Sequence, residues 1–268
     1  MSIIYVPKGK AREYSPLSCN LYTGCNHRCV YCYAPGIRRM TREQYEEVTQ
    51  RRNVLREFER DCRKYTYSKH PVLFCFMTDP YNALEKELRI TRDALKLCYK
   101  YKIPVQILTK SVSIIDDIDI LKKFGSHINA GMTITTSNNQ TSEAWEPGAS
   151  MPQERIETMR ILKQNGIRTW ASFEPVFVPE QSLEMIKKVL PYVDIYKIGK
   201  INNYKGIDKN IDWNKFLKSA VQILRDNKKS FYVKRDLRVA AGNVKLYDNE
   251  MSMDGFLPER FERNDLFS

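Results

Sequence analysis

The 268-residue sequence is short of glycine (11) and proline (12), which excludes collagen-like and low-complexity architectures. No apolar run approaches the about 18 residues of a membrane-spanning helix; the longest is Val72 to Met77. The apolar stretch near the start is too short for the core of a secretory leader. There is no repeat of solenoid period and no Ser/Gly-rich linker, so a single domain over residues 1–268 is expected. Acid is scarce beside base, 32 Asp+Glu against 44 Lys+Arg, giving a net charge of +12. Such a balance favours a polyanionic partner and says nothing about fold. What is present, 42% hydrophobic and 11% aromatic residues, suffices for a real core. A cytoplasmic protein with no membrane partner is therefore expected. In a reducing compartment, seven cysteines read as metal ligands or reactive thiols rather than disulfides.

Short β-branched runs alternate with amphipathic stretches. Strands are expected over 18–23, 72–77, 105–109, 128–134, 168–173 and 193–198. Helices are expected over 41–65, 84–101, 113–124, 153–165, 180–190 and 212–227. Strands that each lead into a helix build a parallel sheet, because every crossover returns the chain to the same end. Six units are two short of a closed eight-fold barrel, so the fold class predicted is α/β, a partial (β/α)6 TIM-type barrel. Its core would occupy about 17–200, with a C-terminal α/β extension over 201–268. Chemistry in such sheets gathers at the carboxyl ends of the strands.

The loop after the first predicted strand carries Cys25, Cys29 and Cys32 in C-x3-C-x2-C spacing. Thiolates so close in sequence converge on one centre, and soft sulfur selects zinc or an iron–sulfur cluster. Closed zinc and four-iron sites each take four ligands. Three thiolates leave one iron open for a small molecule; the alternative is zinc completed by Cys19 or His27.

With Tyr31 just before the third cysteine, the loop resembles the signature of the radical S-adenosylmethionine enzymes. Asn20-Leu-Tyr-Thr-Gly-Cys25, Thr78-Asp79-Pro80-Tyr81, Thr109-Lys110-Ser111 and Trp145-Glu146-Pro147-Gly148 follow in an order similar to the spore photoproduct lyase-like branch. The resemblance implies a [4Fe-4S] cluster on Cys25, Cys29 and Cys32. Its open iron would be chelated by S-adenosylmethionine, which one electron cleaves to methionine and a 5′-deoxyadenosyl radical. It further implies cofactor contacts from Tyr31, Thr78, Asp79, Lys110 (toward the methionine carboxylate), Thr136 and Glu174. An electron donor such as flavodoxin or ferredoxin is implied as a partner.

The repair lyase proper uses a cysteine as hydrogen donor, and its position falls on Phe76 here. Cys75 is the candidate in this chain, but strand neighbours face opposite ways, so it is expected to turn away from the barrel interior. A thymine-dimer lyase is therefore not expected. Cys19, Cys62 and Cys98 sit on apolar faces and read as core. Lys200, Asn202 and Asn203, after the last predicted strand, are candidates for substrate contact.

Ten Lys/Arg against six acids between Arg38 and Lys69, and a second basic concentration over 228–238, suit phosphate neutralisation with base stacking. The interspersed glutamates of the first segment equally suit a solvated helix face. Three functions follow: a radical enzyme acting on nucleic acid or a nucleotide, one acting on a peptide or protein, or a non-catalytic zinc- or cluster-binding interaction module.

Overall fold

The computed structural model describes residues 2–202, 204 and 206–263. The described residues form ten strands: β1 (Ile4–Tyr5), β2 (Leu17–Cys19), β3 (Tyr22–Thr23), β4 (Thr49–Gln50), β5 (Val72–Phe74), β6 (Val105–Thr109), β7 (Ile128–Thr133), β8 (Arg168–Val176), β9 (Ile195–Lys200) and β10 (Ser230–Val233). Eight form one sheet in the order β1-β2-β5-β6-β7-β8-β9-β10, with β3 and β4 a separate antiparallel pair. Within the eight-stranded sheet β1 runs antiparallel to β2, and β2, β5, β6, β7, β8, β9 and β10 are mutually parallel. This is the expected α/β barrel-type sheet with one more parallel strand than predicted. The unpredicted strand, β10, belongs to the segment read as an extension, and its four residues follow a polar Asn-Lys-Lys run that masks the signal.

Alternation along the strands sorts two cores. Val72, Phe74, Val105, Ile107, Ile128, Ala130, Ala171, Phe173, Tyr196, Ile198, Phe231 and Val233 face the helices. Leu73, Leu108, Trp170, Ile195 and Tyr232 face the bore, joined there by Tyr14 and Phe256. Period-2 geometry delivers both sets from one sequence. Trp170 fills the bore because Gly131 opposite has no side chain: a Cβ there would lie 2.3 Å from the indole. The indole Nε1–H also donates to Ile107 O at 2.9 Å.

The single helix expected over 41–65 is two, Arg42–Glu46 and Val54–Lys64, separated by β4. The β-branched Val48-Thr49 step favours extended chain, and Thr49 and Gln50 pair with Thr23 and Tyr22. On the second helix two of the three arginines pair with neighbours, Arg60 with Glu57 and Arg63 with Glu59, as a solvated face would have them. The 228–238 segment is likewise no single basic patch. Tyr232 lies in the bore, Lys229 donates to Val193 O, and Lys234 is buried against Glu174. Among the described residues no helix is long and apolar enough to cross a membrane.

Candidate active site

A cavity of about 390 Å³ opens at the carboxyl ends of the parallel strands. Cys25, Cys29 and Cys32 line one wall together. Their loop is held from outside: Cys25 N–H donates to Tyr45 O at 2.8 Å, and the Arg42 guanidinium donates to Cys29 O at 3.0 Å. Burial pushes the Cys25 thiol up to about 12 and the Cys29 thiol up to about 11. Both would need compensating positive charge to ionise at neutral pH.

Cys19 does not join them. It packs in the outer core with Leu17 and Leu21, so the zinc site completed by Cys19 is overturned. His27 lines the cavity but faces Asp79, Nδ1 to Oδ2 at 3.4 Å. Among the described residues no three His, Cys, Asp or Glu side chains are gathered tightly enough for a single metal ion.

Cys75 corrects the expectation drawn from register. Leu73 faces the bore, so Cys75, two residues on, shares its side and lines the cavity. The error lay in anchoring parity on Phe76. Extended strand stops at Phe74, and Phe76 N–H and Met77 N–H both donate to Asn20 Oδ1. The irregular turn brings Phe76, Met77 and Thr78 to the cavity as well.

Thr78 and Asp79 line the same wall, engaged with protein. The Thr78 hydroxyl donates to Gly24 O at 2.5 Å. Asp79 accepts from Tyr81 N–H, Thr109 Oγ1 and Lys110 N–H at 2.6–2.9 Å. The carboxylate thereby ties the end of β6 to the turn after β5. Tyr31 lines the cavity with its hydroxyl donating to buried Glu146. Lys110 points inward one step past β6, its ammonium 5.7 Å from the Tyr31 ring centroid. Burial alone would depress it, but Cys29, Glu146 and Asp79 outweigh that and hold it raised. Among the described residues no carboxylate lies within ion-pair distance of Lys110 Nζ.

Glu174 also lines the cavity, with its carboxylate already engaged. Lys234 Nζ donates to both oxygens at 2.9 and 2.7 Å, and Tyr14 OH and Asn202 Nδ2 donate as well. Tyr14 is not singled out by the sequence, and Lys234 reads there only as part of the basic 228–238 concentration. The first precedes the first predicted strand, and the second follows a strand that was not predicted. Asn202 lines the cavity. Lys200 does not: it is one residue off the inward register and pairs with Asp208 at 2.6 Å. Asn203 lies outside the described residues. Thr136 is also off register, buried against Gln181 beside the cavity rather than in it. Its inward neighbours are Thr133, which lines the cavity, and Thr135, which donates to Glu146 at 3.0 Å.

Residues 19–193 match the Radical SAM superfamily. An uncharacterized protein, MJ0683, of Methanocaldococcus jannaschii is 30% identical over 184 residues, 68% of this chain and 69% of that one. Another, ORF301 of Acidianus two-tailed virus, is 26% identical over 207 residues, 70% of this chain and 68% of that one. Spore photoproduct lyase complexed with dinucleoside spore photoproduct superposes with a TM-score of 0.64 at 13% identity, covering 85% of this chain and 79% of that one. SuiB of Streptococcus suis bound to S-adenosylmethionine superposes with a TM-score of 0.63 at 14% identity over 86% of this chain. The chain spans about half of SuiB's length, 53%. The cysteine loop, the parallel barrel that carries it and the extent of the sequence match together make this chain a member of the radical SAM superfamily, enzymes that work with a [4Fe-4S] cluster and S-adenosylmethionine.

Proposed function

We propose that the enzyme abstracts hydrogen from a nucleic acid or nucleotide held in the cavity described above. Cys25, Cys29 and Cys32 are the proposed cluster ligands. The donor set fits that group: three thiols share one cavity wall, and the nearest alternative partners, Cys19 and His27, are committed elsewhere. A cluster held there would supply the one-electron reduction that cleaves S-adenosylmethionine to methionine and a 5′-deoxyadenosyl radical. That electron requires an external donor such as a flavodoxin or ferredoxin.

Lys110 carries the cofactor assignment. Its ammonium enters the cavity beside the cysteines, held charged and without a carboxylate partner among the described residues. A methionine carboxylate supplies the missing anion in a partly dry site. Tyr31 and Thr78 flank that position, while Asp79 shapes it through the Lys110 backbone. Glu174, held by Lys234 and Tyr14, closes the far wall where the adenosyl end would lie. Cys75, facing the same space, is the thiol placed to return a hydrogen atom to a substrate radical.

Lys8 lines the cavity with Tyr33, which is 41% exposed, beside Lys10, whose ammonium pairs with Asp236 and donates to Asn202. Cations beside an accessible aromatic ring suit a phosphate-bearing substrate whose base can stack. The lyase neighbour holding a dinucleoside photoproduct supports the same substrate class. SuiB bound to the precursor peptide SuiA supports the peptide reading. Binding of single-stranded DNA, RNA and duplex titrated against salt separates them. Affinity that falls steeply with salt is expected; affinity indifferent to salt, or absent, favours a peptide.

A further inference from the structure

Residues 145–155 stitch three corners of the site together. Val30 N–H donates to Trp145 O at 2.9 Å, Gly148 N–H to His27 O at 3.0 Å, and Ser150 N–H to Lys110 O at 3.1 Å. Within this clasp lie two fully buried opposite charges. Arg155 Nη2 is 2.6 Å from Glu146 Oε2. Its Nε–H donates to Ser150 O at 2.7 Å and its Nη1–H to Thr133 O at 3.0 Å, fixing the guanidinium plane. Glu146 Oε1 accepts from Tyr31 OH, and Oε2 accepts from Thr135 Oγ1.

Lys110 lies over the ring of the same Tyr31, so Glu146 is the carboxylate that would naturally neutralise it. It does not, because both carboxylate oxygens of Glu146 are already engaged, Oε1 by Tyr31 and Oε2 by Thr135 and Arg155. Asp79, the other acid close to Lys110, is spent on Tyr81, Thr109 and the Lys110 backbone. We propose that Arg155 is a positioning residue that sequesters Glu146 from Lys110, keeping the ammonium available for the carboxylate of S-adenosylmethionine. This rests on the assignment of Lys110 to that carboxylate.

A buried pair of this kind is a poor source of stability by itself. Its use here is electrostatic bookkeeping: it stops the site from neutralising itself. Removing Arg155 alone frees Glu146 to swing onto Lys110, which sits on the same tyrosine. Removing both charges leaves Lys110 unpaired again. A structural clasp would show the opposite pattern, with the double variant at least as damaged as either single one.

The test is equilibrium dialysis of S-adenosylmethionine on the reconstituted enzyme, with the EPR spectrum of the reduced cluster as a second readout. Arg155→Met should weaken binding about tenfold or more, since it costs a charge-assisted contact, and should lose the cofactor-induced change in the EPR signal. Glu146→Gln, and Glu146→Gln combined with Arg155→Met, should bind within about threefold of wild type and keep the signal. Arg155→Lys, which retains a cation for Glu146, should do the same. Iron and sulfide content should be equal throughout. Wild-type binding by Arg155→Met overturns the proposal, as does a double variant or Glu146→Gln variant that binds as weakly as Lys110→Met. If Arg155→Met does not fold, the Glu146→Gln and double variants decide. If Lys110→Met itself binds normally, the carboxylate assignment fails, and that outcome is distinct from failure of Arg155→Met alone.

Discussion

Gly148 offers a perturbation whose size follows from the structure. A Cβ at this position would lie 2.1 Å from Asn26 O and 3.0 Å from His27 Cα. Both atoms are backbone, so no side chain can rotate away. The loop must retreat by roughly 1.5 Å to reach an ordinary contact distance, and the residues that move are those between Cys25 and Cys29. Overpacking of this kind costs about 1–3 kcal/mol. For a chain of this size that lowers Tm by about 2–5 °C. The catalytic cost is larger, because a displacement of about 1 Å at a reacting centre is worth on the order of 100-fold in rate. Gly148→Ala should therefore fold, melt slightly earlier and lose most of its S-adenosylmethionine cleavage, through a depleted or displaced cluster. Iron and sulfide analysis, a thermal scan and the rate of 5′-deoxyadenosine release on one preparation test this. Wild-type iron content together with a wild-type cleavage rate would refute the claim that the 145–155 segment sets the position of the cysteine loop.

Other expectations are narrower. Cys29→Ala should lose the cluster, whereas Cys62→Ala and Cys98→Ala, both fully buried in the outer core, should keep it at a cost of about 1 kcal/mol each in denaturant titrations. Cys75→Ala should retain iron, sulfide and S-adenosylmethionine binding while impairing substrate turnover; an unaltered turnover would remove it from the chemistry. Lys197 sits in the bore, donating to Tyr14 O at 3.0 Å, and burial followed by the nearby Lys234 pushes its amine well below its ordinary range. The unfolded chain holds that proton up to about pH 10.4. Stability from the depressed group is thus fully present above that pH and lost as pH falls through the folded-state value. Wild-type stability minus that of Lys197→Met should accordingly rise with pH toward 10. A flat difference would mean the amine is not desolvated.

Periodicity made much of the fold legible. The β-branched run at 105–109 became β6 with the predicted bounds, and Arg168 opened β8 as expected. The cysteine loop was readable because its chemistry depends on local spacing alone. Register was less so. Parity fixes which residues enter the bore only once one inward residue is known, and choosing Phe76 rather than Leu73 turned Cys75 the wrong way. Thr136, implied by the resemblance, and Lys200, chosen for following the last predicted strand, also fall off the inward register: Thr133 lines the cavity and Lys200 is paired with Asp208. Contacts made across the barrel left no local trace. Tyr14 reaches Glu174 over 160 positions and Lys234 over 60, and the Glu146–Arg155 pair joins a loop to a helix. Trp145-Glu146-Pro147-Gly148 stood out in sequence, but its role became readable only with the Tyr31 hydroxyl beside it.

The most direct measurement is anaerobic reconstitution with iron and sulfide, followed by reduction in the presence of S-adenosylmethionine and an assay for 5′-deoxyadenosine. The wild-type protein should be brown and release 5′-deoxyadenosine, and the Cys29→Ala variant should do neither. A protein that takes up zinc instead, or holds a full cluster that never cleaves S-adenosylmethionine, would contradict the account.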